Sequence, residues 1–188
     1  MTTRLWFAFL LLLGMAGNLP AAEIDFYHDW ELALQKAQET GKPIFLDAYT
    51  TWCGPCKWMD AKVMSDGEVT EFYNTHFINV KLDMEKGDGI AVGKQFRIAA
   101  YPTLLYLTSE GRAIYREAGG RDVEAFLAMG QKALGMDDAL QDMYDRYAAD
   151  DIDREFLGEY LLHAAETHMD YKDALKKYEA MNQPSAIL

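Results

Sequence analysis

The sequence predicts an α/β fold, a mixed central sheet flanked by helices on both faces, with an all-helical extension at the C-terminus. Three observations carry this reading. Strand-like and helix-like periodicities alternate from Ile24 to about Ala118, and the last two strand-like runs are joined by a hairpin signal. From Asp137 onward only helical patterns occur. The chain has 188 residues, room for one domain and an appendage. Half of its residues are apolar or aromatic. That is ordinary globular composition, and it excludes a disordered chain, a collagen and a polytopic membrane protein.

The elements follow in order. Ile24-Asp25-Phe26-Tyr27 alternates as a short strand does, and Trp30, Ala33, Leu34 and Ala37 mark one face of a helix that Gly41 and Pro43 stop. Ile44 to Tyr49 is a mostly apolar strand with a single acid, Asp47. Trp52 to Met64 reads as a turn opening a helix, and Ser65 with Glu68 has capping-box spacing ahead of Val69, Phe72 and Tyr73. Phe77 to Leu82 is a third strand with Ile78, Val80 and Leu82 on one side. The loop Gly87-Asp88-Gly89 leads into a short helix through Phe96. Thr103–Leu107 and Ala113–Ala118 are strands linked by Ser109-Glu110-Gly111, and Asp122 opens a helix carrying Val123, Phe126, Leu127 and Leu134.

Three regions emerge: an export signal over 1–22, an α/β domain over 23–136 and a helical extension over 137–188. Arg4 precedes thirteen uncharged residues, Leu5 to Gly17, and small residues follow at Ala21 and Ala22. Thirteen helical residues span about 20 Å, short of the roughly 30 Å hydrocarbon core. Export is therefore the reading, with an uncleaved anchor as its alternative. The mature chain is expected in the periplasm or secreted, without stable membrane insertion after cleavage. In such an oxidising compartment a pair of thiols stands as a disulfide unless something reduces it. The net charge of −12 lacks the basic footprint of nucleic-acid binding, so no nucleic-acid partner is expected.

The extension holds 13 acids and 5 bases, which contributes −8 of the total. Three apolar faces recur at helical spacing: Leu140, Met143, Tyr144 and Tyr147; Phe156, Leu157, Tyr160, Leu161 and Ala164; and Ala174, Leu175, Tyr178 and Met181. Three amphipathic helices should pack on one another or on the sheet domain. A structural appendage and a partner-docking platform are both compatible with that pattern.

Chemistry concentrates at Trp52-Cys53-Gly54-Pro55-Cys56-Lys57, where a strand ends and a helix begins. Cysteines three apart share a helical face and lie close enough to bridge. Cys53 falls at the helix N-terminus, where unpaired N–H groups and the helix dipole favour a thiolate. Pro55 in the first turn costs no hydrogen bond. Cys56, one turn deeper, is shielded and placed to attack a mixed disulfide formed at Cys53. A zinc site would need two further ligands, but there is no second cysteine pair, and His163 and His168 are five apart on different helix faces. A haem attachment would need His where Lys57 stands. Gly93-Lys94 resembles the end of a phosphate loop, but Asp88 occupies the required glycine position and Gln95 replaces Ser or Thr. No metal, flavin or nicotinamide motif is present in the sequence, so the expected cofactor is none.

With these residues, the stretch from about Ile24 to Leu134 resembles the thioredoxin superfamily. It is most similar to secreted bacterial thioredoxin-like domains and to the C-terminal catalytic domain of the periplasmic thiol:disulfide interchange reductase. The resemblance implies a thioredoxin fold, Cys53 as nucleophile and Cys56 as resolving cysteine. Asp47 matches the acid buried beneath the resolving cysteine, and Lys81 the lysine near it; a carboxyl in an apolar strand also has a raised pKa suited to proton transfer. Pro102 matches the cis-proline that faces the disulfide, with Tyr101 in place of the usual smaller aliphatic residue. Trp52, Gly54, Pro55 and Tyr101 are implied in contacting substrate, with Gly119 or Gly120 as the glycine that lets substrate backbone approach. The implied activity is reduction of protein disulfides, with electrons supplied by a membrane-embedded thiol reductase. Oxidation or isomerisation, or a partner-binding role carried by the acidic tail, are the alternatives.

Overall fold

The computed structural model describes residues 23–181, and the expected signal over 1–22 lies outside them. The apolar runs assemble into a five-stranded sheet of order β1-β3-β2-β4-β5. β1 (Phe26–Tyr27), β3 (Ile78–Asp83) and β2 (Ile44–Tyr49) run parallel. β4 (Thr103–Leu107) returns antiparallel against β2, and β5 (Ala113–Ala118) pairs antiparallel with β4. This is the mixed sheet that the alternating pattern predicts.

Both faces are covered because side chains alternate along each strand. Phe45, Leu104, Tyr106 and Ile114 point to the layer made by α2 (Gly54–Lys62), α3 (Gly67–His76) and α5 (Val123–Ala148). Ile44, Leu46, Val80 and Leu105 point to the layer made by α1 (Trp30–Thr40) and α4 (Gly87–Gln95). The Asp29 carboxylate caps α1 by accepting from the Leu32 N–H at 2.9 Å, and Gly41 ends that helix in the left-handed region, φ 68°.

Two details depart from expectation. Asp66, not Ser65, caps α3: its Oδ1 accepts from the N–H groups of Glu68 and Val69 at 2.9 and 3.3 Å. Ser65 instead donates its hydroxyl to the Ala61 carbonyl at 3.1 Å, satisfying an acceptor at the end of α2. The first helix expected beyond residue 137 is not separate. It is the second half of α5, whose 26 residues run through 136 and 137 without a break. The shift in composition there is a change of surface charge along one continuous helix.

The extension then folds back as α6 (Arg154–Glu166) and α7 (Lys172–Met181). Leu140, Tyr144, Phe156, Leu157, Tyr160 and Ala164 join the core beneath α2 and α3, so most of the aromatic stripe is packing surface. Tyr147 stacks on Tyr160 with ring centroids 4.2 Å apart. On α7 only Ala174 is buried, while Leu175 and Met181 of the expected face stay exposed. The extension is tied to the sheet by the Ala113 carbonyl of β5, which accepts from the Tyr144 hydroxyl at 2.6 Å and lies 3.0 Å from His163 Nε2. Gly130 lets α5 approach α3: a Cβ there would lie 2.6 Å from Phe72 Cε1. Among the described residues no helix is long and apolar enough to cross a membrane.

Candidate active site

The site forms where β2 gives way to α2. The Cys53 N–H donates to the Thr50 carbonyl at 3.1 Å, turning the chain so that Cys53 becomes the N-cap of α2. Gly54 and Pro55 follow in the first turn, where a missing N–H is harmless. Cys53 and Cys56 are joined as a disulfide with Cα atoms 5.4 Å apart. Cys53 Sγ also accepts from the Cys56 N–H at 3.1 Å. The backbone donor that caps the helix is thus aimed at the sulfur on which a thiolate would form. Both cysteines are buried in this oxidised form, and Trp52, Gly54 and Pro55 around them are exposed.

The strand that leads into the disulfide carries a buried carboxyl. Asp47 is 1 % exposed. Lys81, its partner in the β2–β3 register, donates to its Oδ2 at 2.8 Å. Its Oδ1 is buried and has no hydrogen-bond partner among the described residues. Burial drives the Asp47 pKa above its ordinary value, against the opposing pull of the Lys81 charge, while Asp60 adds to the rise. The sequence does not single out Asp60. It stands four residues after Cys56 on α2, and its Oδ1 also accepts from Lys81 Nζ. Lys81 therefore bridges β2 to α2 at Asp60, one turn beyond Cys56. A cleft of about 380 Å³, lined in part by His28, Asp60, Met64 and Lys81, opens this cluster to solvent.

The rim is built by three further segments. The Tyr101–Pro102 peptide bond is cis, and the Pro102 carbonyl accepts from the Gly119 N–H at 2.8 Å. Gly119 has φ 93°, a conformation open to glycine at little cost. Gly120 is the glycine beside the active-site helix: a Cβ on it would meet Pro55, Met59 and Trp58 at 3.7–3.8 Å. Trp52 is 64 % exposed. Its ring stands edge-on to Tyr101 with centroids 5.8 Å apart, and its Nε1–H donates to the Glu85 carboxylate at 3.1 Å. Glu85 carries no spacing signal, because it enters only through the turn after β3. Asp60 could have been found, since i and i+4 positions share a helix face with Cys56.

Comparisons with known proteins place the fold that carries this disulfide in a family. A family model described as thioredoxin-like covers residues 25–109. A solved structure from Bacteroides thetaiotaomicron, named for a proposed disulphide-isomerase activity, is 38 % identical, with a TM-score of 0.55 over 62 % of this chain and 97 % of its own. The chain belongs to the thioredoxin-like family.

Other thioredoxin-like relatives agree. The thiol:disulfide interchange protein DsbD of Yersinia pestis is 32 % identical over 94 residues, which are 48 % of this chain and 16 % of that protein. The chain thus spans about a sixth of the length of that relative. Thioredoxin-1 of Drosophila melanogaster is 29 % identical over 91 residues, 48 % of this chain and 78 % of the relative. A thioredoxin from Thermus thermophilus shares the fold, with a TM-score of 0.55 at 21 % identity over 60 % of this chain and 88 % of its own. The thioredoxin-like chain is accordingly a thiol–disulfide oxidoreductase by family, with Cys53 and Cys56 as its close cysteine pair.

Proposed function

We propose that this thioredoxin-like protein is exported and acts as a reductase of protein disulfides. The observation that carries the reading is the Cys53–Cys56 disulfide at the start of α2, with the incompletely bonded carboxyl of Asp47 on the strand that leads into it. In the reduced protein, the Cys53 thiolate attacks a substrate disulfide, forming a mixed disulfide and expelling one substrate thiolate, which takes a proton. Cys56 gives its proton towards Asp47 and attacks the Cys53 sulfur. The Cys53–Cys56 bond closes and the second substrate thiol leaves, so two electrons and two protons pass to the substrate. Asp47 returns its proton to water through the cleft beside Lys81 and Asp60.

Tyr101 and Pro102, with Trp52, Gly54, Pro55 and Gly119, form the surface that receives substrate. Electrons return from a dithiol donor, in keeping with the likeness to an interchange protein. A membrane thiol reductase is the donor this reading expects. The apolar, uncharged N-terminal run supports a periplasmic or secreted location.

Isomerisation is the second reading, favoured by the activity for which the 38 % identical relative is named. Equilibration with dithiothreitol buffers, followed by Trp52 fluorescence, separates the two. A reduction potential near about −270 mV is expected for a reductase, and a value above about −180 mV would overturn it.

A further inference from the structure

Tyr101 has two neighbours. One is Trp52, flanking the disulfide; the other is an open groove of about 420 Å³ between α4 and the segment leading to Pro102. We infer that this groove is a substrate subsite for a polypeptide segment carrying an apolar side chain next to a carboxylate side chain. The inference rests on the reading that Cys53 and Cys56 exchange with protein disulfides.

Met84, Ile90, Ile98 and the Tyr101 ring give the groove an apolar lining, and Lys94 and Arg97 place two cations on it. Ile90 is 45 % exposed, a large apolar side chain left in water. Lys94 and Arg97 are exposed, and neither forms an ion pair among the described residues. In a chain with 30 acids and 18 bases, two adjacent unpaired cations are a local reversal of sign. Lys94 in the last turn of α4 suits the helix dipole, but Arg97 does not need to be there for the backbone's sake. Its φ is 50°, a conformation that glycine or asparagine adopts more readily.

The groove is continuous with the active-site rim through Tyr101, and an extended chain advances roughly 3.3 Å per residue. A substrate strand that reacts at Cys53 and runs past Tyr101 therefore lays residues a few positions from its half-cystine in the groove. Glu85, hydrogen-bonded to Trp52, sets a negative charge on the other side of Tyr101, so an acidic residue of the substrate is drawn to the Lys94 and Arg97 side.

The test uses reduced full-chain protein and two peptides with one internal disulfide each. They differ only in Leu-Glu or Leu-Gln two to three residues from a half-cystine. The protein's two thiols close to the Cys53–Cys56 disulfide and leave two peptide thiols, so the rate is read directly. The Leu-Glu peptide is expected to react about five-fold faster at low ionic strength, with the ratio approaching one in molar salt. In the Lys94→Gln, Arg97→Asn double variant the ratio falls to one, while a small aromatic disulfide reacts as fast as with the parent protein. Asn at 97 keeps the left-handed backbone accessible.

Equal rates of the two peptides with the parent protein overturn the subsite and leave the exchange reading standing. Equal slowing of both peptides and the small disulfide in the variant also overturns it, because the cations then act on the dithiol. Failure of the parent protein to reduce the small disulfide overturns the exchange reading and the subsite with it.

Discussion

Two buried polar clusters lie in different parts of this molecule, and they are built differently. Around His163, the three polar atoms that face one another are all partnered: the Tyr144 hydroxyl donates to the Ala113 carbonyl, and His163 Nε2 sits 3.0 Å from both. Around Asp47, one carboxyl oxygen is held by Lys81 and the other is left without a partner among the described residues. A satisfied network fixes a contact, here the docking of the extension on β5. An unsatisfied buried carboxyl costs stability and is retained where its protonation is used. The first cluster reads as structure, and the proposed mechanism gives the second its chemistry.

That contrast can be broken by substitution. The largest effect is expected for Cys53→Ser, which removes the proposed nucleophile and should abolish disulfide exchange, as read in a thiol-release assay. Asp47→Asn comes next. Exchange at neutral pH should slow by roughly 10²-fold, the scale of a lost general acid–base group.

Stability should move the other way. Asp47 has a pKa raised in the fold by burial, so its contribution is fully present below the ordinary value of 3.8 and is lost as pH rises through the folded value. Asp47→Asn should therefore raise Tm near pH 7, with the gain shrinking in acid. An unchanged or lower Tm at pH 7 would count against the burial argument.

At the other cluster, His163→Ala should cost about 2 kcal/mol in chemical denaturation without changing the exchange rate. Burial holds His163 below its ordinary value of 6.5. Its neutral form therefore supports the fold above pH 6.5, and that support is lost as pH falls through the lower folded value. The parent protein should lose stability in that window, and the variant should lose less of it. Smallest is Glu85→Gln, which weakens the exposed Trp52 hydrogen bond. A change in Trp52 emission and less than about two-fold in rate is expected, since such surface contacts are worth about 1 kcal/mol or less.

The comparison also separates what could be read from the sequence from what could not. The strands of the sheet were legible because each alternates or runs apolar between glycine and proline signals. The cysteine pair was legible because its spacing fixes the local backbone, whereas the cis bond at Pro102 followed from the family resemblance. Asp47 stood out as a charge inside an apolar run. Its second neighbour, Asp60, had a single signal, a place four residues after Cys56 on the same helix face; otherwise an acid on an amphipathic helix looks like any solvated residue until Lys81 reaches it from β3. The sequence offers His163 no role beyond that of a metal ligand, because its pairing with Tyr144 and the Ala113 carbonyl depends on how α6 folds back. The continuity of α5 was obscured by a real change in charge, which does not require a change in backbone. Ser65 had the right spacing for a cap, but Asp66, an acceptor one residue on, took the role.

The central claim is that the unsatisfied carboxyl of Asp47 moves the proton of Cys56. The direct measurement is the pH dependence of the resolution step: release of a leaving thiol from a mixed disulfide preformed on Cys53, in the parent protein and in Asp47→Asn. The parent protein should show an inflection above the ordinary carboxylate range, absent from the slower variant. Matching profiles and rates for the two proteins would contradict the claim and leave Asp47 as a buried charge without a part in the reaction.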